Sequence, residues 1–110
     1  MPAPIRMLAI DIDGTLLPSA GTRVSERTCR TLREAESAGL EVVIATGRRQ
    51  AYATPLLSPM GLRPATVLIT SNGTVTRTMA GESIDRFFLP VETARELCPA
   101  LRPFGTTVFT

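Results

Sequence analysis

An α/β fold built on a parallel sheet is predicted by three observations. Apolar runs and stretches of helical period alternate as strand, helix, strand, helix, strand, in units of about thirty residues, the pattern of parallel strands joined by right-handed crossovers. Each of the three apolar runs ends on acids, glycine or a turn dipeptide. At 44% apolar, the 110 residues can build a core, and a prior of roughly 150 residues per domain allows one complete domain at most.

The first run, Ile5 to Ile12, ends on acids and Gly14-Thr15, the profile of a buried strand entering a loop. Pro18 to Gly21 is a turn cluster. From Ser25 the period changes: Ser25 is a good N-cap, and Cys29, Leu32, Ala35 and Ala38 recur at helical spacing until Gly39 stops the helix. Arg23, Arg27, Arg30 and Arg33 fall on its polar side, where a solvated face with Glu34 and Glu36 is expected. Leu40 to Thr46 is a second buried strand, rich in β-branched residues. Gly47-Arg48 opens a second helix towards Leu57, which Pro55 is expected to kink or restart because proline deletes a backbone donor.

Pro64 to Ser71 forms the third strand and stops at Asn72-Gly73, a strong turn dipeptide. Thr74 to Met79 and Ser83 to Leu89 then pair as a hairpin around Ala80-Gly81. Pro90 starts a third helix reaching Leu101, with Pro99 near its end. Thr106 to Phe109 is a last strand, with nothing after it to cover its faces, so the chain is expected to be part of a longer protein. Phe87-Phe88 is expected to pack, and both cysteines to act as small apolar fillers.

Composition narrows the chemistry. All 12 basic residues are arginines, the 10 acids are seven Glu and three Asp, and there is no Lys and no His. Absent His excludes a Ser-His-Asp triad, a Cys-His pair and His-ligated zinc or haem, and absent Lys excludes a Walker-type phosphate loop or Schiff base. The net charge of +2 is spread along the chain and gives no nucleic-acid footprint. Cys29 and Cys98 lie far apart in no metal-like spacing, which suits reduced thiols. The longest apolar stretches fall far short of the roughly 18 residues of a membrane span, and the run at Met7 to Ile10 stops too soon for a signal peptide. A soluble, cytoplasmic chain is expected.

In an open α/β sheet, ligands bind beyond the carboxyl ends of the strands. Three polar tips are expected there: Asp11-Ile12-Asp13-Gly14-Thr15, Thr46-Gly47-Arg48 and Ser71-Asn72-Gly73. If the backbone stays extended, Asp11 and Asp13 leave on one face, and two close carboxylates repel unless a cation lies between them and solvent. Oxygen-only donors suit Mg²⁺, which keeps several waters and takes one or two protein carboxylates plus a substrate phosphate. The alternative is a solvated turn closing a strand. Thr46, Gly47 and Arg48 can form an anion pocket at a helix start, or a capped helix with Arg48 in solvent. Turn geometry alone can explain Asn72-Gly73.

Asp11-Ile-Asp-Gly-Thr-Leu-Leu17 resembles the first signature of the haloacid dehalogenase superfamily, Asp-x-Asp-x-Thr after a hydrophobic strand. Ala45-Thr-Gly-Arg48 resembles the second signature of its Cof-type sugar phosphatases, and Ser71-Asn-Gly73 the loop that follows it. The likeness implies an incomplete, Rossmann-like core over residues 1–80, with the start of an α/β cap over 81–110. It implies a Mg²⁺-dependent phosphatase acting on a small, sugar-phosphate-like metabolite, with no nucleic acid or membrane partner. Asp11 would form an aspartyl-phosphate and Asp13 would serve as acid and base. Asp11 and Asp13 would hold the metal, and Thr46, Gly47, Arg48 and Asn72 would bind phosphate or substrate. The family's third-motif Lys and fourth-motif acids have no counterpart, since the chain has no Lys and its only other aspartate is Asp85. A non-catalytic module that binds phosphate or a partner is the alternative, and a phosphotransferase of the same superfamily a third possibility.

Overall fold

A computed structural model describes residues 2–106. Five strands form one sheet in the order β1-β2-β3-β4-β5: β1 (Met7–Ile10), β2 (Glu41–Ala45), β3 (Val67–Thr70), β4 (Val75–Thr78) and β5 (Ser83–Arg86). The first three are parallel, in a register that sets Ile10 beside Ile44 and Ala45 beside Ile69, whereas β4 and β5 are antiparallel additions. The carboxyl ends of β1, β2 and β3 therefore lie side by side on one rim.

Two helices connect the parallel strands, α1 (Glu26–Ser37) and α2 (Gln50–Leu57). Ser25 caps α1, its Oγ accepting from the Thr28 N–H at 3.2 Å. Gly39, at φ 90°, ends it: the Gly39 N–H donates to the Glu36 carbonyl and the Leu40 N–H to Ala35, the Schellman arrangement that favours glycine at this left-handed position. Cys29 and Leu32 of α1 and Ala53 and Leu57 of α2 join Val42, Ile44 and Leu68 in one core cluster. Side chains alternate along a strand, so the helices cover the face bearing Val42 and Ile44. The opposite face carries exposed Met7 and Ala9 beside buried Val43.

This one-sided covering corrects the expectation that the first strand is buried. Its pattern alternates between exposed and half-buried, because β1 lies at the edge of the sheet with one face open. Strands are also shorter than the apolar runs that announce them, as the backbone turns at Asp11. Pro55 does not break α2, which continues two residues further to Leu57 before tightening into a 3₁₀ turn, Ser58–Met60.

Glu36 is a second correction. Expected on a solvated face, it is 4% exposed. Its carboxylate accepts from the Arg63 N–H at 2.9 Å and from the Thr66 hydroxyl, and the Arg63 Nε lies 3.6 Å away. It pins the segment entering β3 onto the end of α1, a tertiary role that helical spacing cannot reveal. Phe87 and Phe88 are a third correction: they are 78% and 63% exposed, with the Arg86 guanidinium 5.7 Å from the Phe88 ring centre. Beyond them, α3 (Val91–Leu101) begins after Pro90, as expected, and buries no residue. Cys29 is buried, as its helical position suggests, whereas Cys98 on α3 is only half-buried. Of the expected final strand, Thr107 to Phe109 lie outside the described residues. No helix among the described residues is long and apolar enough to cross a membrane.

Candidate active site

The β1 tip turns rather than continuing as an extended strand. The Leu16 N–H donates to the Asp11 carbonyl, those of Thr15 and Leu17 donate to Ile12, and Gly14 adopts φ 79°. Ile12, fully buried, anchors this turn in the core, and the acids on either side of it stay at the surface. Asp11 receives the Ile12 N–H on its Oδ1 at 2.8 Å.

An open groove of about 340 Å³ brings the three tips together, lined by Asp11, Ala45, Thr46, Gly47, Ile69, Asn72 and Gly73. Thr46 is 6% exposed, and its Oγ1 accepts from the Arg48 N–H at 3.1 Å. That bond uses an acceptor site of the hydroxyl and leaves its proton to donate to a ligand. The β2 and β3 tips are tied together by the Ser71 N–H, which donates to the Arg48 carbonyl at 2.8 Å. Ser71 and Asn72 both have left-handed backbones, at φ 52° and 56°. Such conformations are uncommon outside glycine and cluster at functional sites.

Asp13 does not line the groove. Its carboxylate instead meets Arg48: Nε donates to Oδ2 at 2.9 Å and Nη2 to Oδ1 at 2.6 Å. This hydrogen bonding holds the Asp13 carboxyl below the usual carboxylate range, helped by the adjacent positive charge and opposed by partial desolvation. The same bonds push Arg48 up. Of the residues singled out in the sequence, Asp11, Thr46, Gly47 and Asn72 thus share one groove, while Asp13 and Arg48 form a pair beside it. No periodicity or spacing announces an ion pair between residues 35 positions apart. In the sequence Ser71 is only the flank of a turn dipeptide, and the Ser-Asn-Gly run is the one signal of its left-handed backbone.

The donor set bears on the expected metal. No group of three or more His, Cys, Asp or Glu side chains occurs among the described residues. With the Asp13 carboxylate engaged by Arg48, Asp11 is the acid at this tip whose carboxylate has no cationic partner among the described residues. Such an oxygen donor suits Mg²⁺ retaining most of its water and does not suit a metal demanding nitrogen or sulfur.

Residues 8–110 match the family of haloacid dehalogenase-like hydrolases. The chain is 35% identical over 92 residues to the HMP-PP phosphatase of Serratia proteamaculans, covering 84% of this chain and 32% of that protein. A haloacid dehalogenase-like hydrolase of B. subtilis superposes with TM-score 0.79 at 31% identity, over 91% of this chain and 34% of that one. The sugar phosphatase BT4131 superposes with TM-score 0.72 at 29% identity, over 91% and 38%. The chain spans about a third of the length of the curated relatives it matches. On its sequence and its α/β fold, the chain belongs to the haloacid dehalogenase-like hydrolases.

Proposed function

We propose that this chain supplies the nucleophile and phosphate cradle of a Mg²⁺-dependent phosphatase acting on a small, sugar-phosphate-like metabolite in the cytoplasm. The observation that carries this is the single groove that Asp11 lines together with Thr46, Gly47 and Asn72. Asp11 attacks phosphorus, forming an aspartyl-phosphate as the ester oxygen departs. Asp13 gives that oxygen a proton and later takes one from the incoming water. Thr46 donates its free hydroxyl proton to a phosphate oxygen, with the Gly47 N–H and the Asn72 amide beside it. Mg²⁺, held by the Asp11 carboxylate and the Asp13 carbonyl, would neutralise phosphate charge. The names of the relatives, an HMP-PP phosphatase and a sugar phosphatase, support a small phosphorylated substrate. In this reading residues 1–80 contribute the core, a cap begins from 81, and the remaining metal-site acids and a basic residue come from sequence outside these 110 residues.

The test is phosphate release by the intact protein, with and without Mg²⁺, in wild type and Asp11→Asn. The substitution should cut turnover by about 10³-fold or more, and metal should be required. Hydrolysis surviving in Asp11→Asn overturns the assignment. A non-catalytic phosphate-binding module is the second reading, favoured by the lack of a three-ligand acidic cluster among the described residues. It predicts phosphate binding without turnover.

A further inference from the structure

We propose that Arg48 is a positioning residue that orients the Asp13 carboxylate toward the leaving-group oxygen and does not itself bind the substrate phosphate; this deepens the phosphatase reading and rests on it. Three observations carry the proposal. First, the Nε and Nη2 of Arg48 contact different oxygens of Asp13, at 2.9 and 2.6 Å. A two-point fork fixes the plane of a carboxylate as well as its place, which a single contact cannot do. Second, Arg48 is not among the residues lining the groove that holds Asp11, Thr46, Gly47 and Asn72. Third, the main chain of Arg48 is held from both sides, its N–H by the Thr46 Oγ1 at 3.1 Å and its carbonyl by the Ser71 N–H at 2.8 Å. The guanidinium is thus presented from a loop anchored to two neighbouring strand tips.

Asp13 needs such support. It sits on a turn at the surface, its side chain 56% exposed, and among the described residues its carboxylate accepts side-chain hydrogen bonds only from Arg48. A carboxyl free to rotate would seldom present its proton along the breaking bond. In the first step an Asp11 oxygen forms a bond to phosphorus, the bond from phosphorus to the ester oxygen breaks, and its electron pair stays on that oxygen. Asp13 must enter this step protonated, one oxygen still held by Arg48 and the other carrying the proton that passes to the departing oxygen. An alkyl ester depends on this proton, because an alkoxide is a poor leaving group. A p-nitrophenyl ester departs as a stable anion and depends on it little.

The ester dependence gives the experiment. In the intact protein with Mg²⁺, kcat/KM is measured for glycerol phosphate and for p-nitrophenyl phosphate in wild type, Arg48→Gln, Arg48→Lys and Asp13→Asn. The two Arg48 variants should lower kcat/KM for the alkyl ester by about 10²-fold and for the aryl ester by less than about threefold, with KM moving less than about twofold. Lys cannot reproduce the fork and should not rescue, and Asp13→Asn should show the same selectivity between esters. Unchanged thermal midpoints in both Arg48 variants establish that folding is intact. Equal losses on both esters carried by KM would put Arg48 on the phosphate, and unchanged kinetics would make the pair idle; either overturns the proposal. A wild-type protein turning over neither ester defeats the phosphatase reading itself, and the proposal with it, before any variant is compared.

Discussion

A methyl group added to Gly47 would lie 2.7 Å from the Oδ1 of Asn72. The bare Cα at the β2 tip is therefore what allows the Asn72 side chain to close over it from the β3 tip. Because the obstructed atom is the free end of a side chain, Gly47→Ala should displace Asn72 and leave the fold standing. The expected cost to stability is within about 1 kcal/mol by chemical denaturation. Affinity for inorganic phosphate, measured by calorimetry, should fall; an unchanged affinity would show that the groove does not use this closure.

The left-handed backbone at Asn72 can be separated from its amide. Asn72→Gly relieves a φ of 56° that glycine adopts freely, so stability should hold or rise slightly while phosphate affinity drops. Asn72→Val keeps a side chain but resists this conformation and should cost about 1–3 kcal/mol. Paired melting and binding measurements on the two variants distinguish backbone strain from lost contact.

The Arg48 fork fixes the sign of a pH effect. Hydrogen bonding to Arg48 depresses the Asp13 pKa in the folded state, so the stabilisation linked to it is fully present above the unfolded carboxylate value. It is lost as pH falls through the depressed folded value, and it contributes no pH dependence near neutrality. An NMR titration of the Asp13 side-chain carbonyl carbon should show its midpoint moving upward in Arg48→Gln. A midpoint that stays put would mean that the pair does not persist in solution.

Glu36 is the buried charge on which the approach to β3 depends. Glu36→Ala removes the acceptor for the Arg63 N–H and the Thr66 hydroxyl, and Thr66 is fully buried. Leaving the buried Thr66 donor without its partner should cost about 1–3 kcal/mol, seen as a lower denaturation midpoint. The exposed Glu34, one turn of sequence pattern away from notice, should tolerate alanine within about 0.5 kcal/mol.

A core position sets the scale for these effects. Ile44, fully buried in β2 against the helix-covered face, should cost about 2–5 kcal/mol on replacement by alanine.

Much of this architecture can be read along the chain, because the forces involved act between near neighbours. Ser25 and Gly39 mark the ends of α1 through bonds to residues within a few positions, and the β-branched run of β2 marks a buried strand. The polar tips at Asp11, Thr46 and Asn72 likewise announce themselves as interruptions of apolar strands. What spacing could not assign was which tip residue meets which. Arg48 turns to Asp13, Glu36 folds inward to Arg63 and Thr66, and Phe87 and Phe88 stay in solvent. A charged side chain is stabilised by whichever partner the fold brings within about 3 Å, and that partner lies tens of residues away in sequence. Local pattern thus carried the strands, the caps and the rim, while the pairing of charges and the exposure of one sheet face depended on packing in three dimensions.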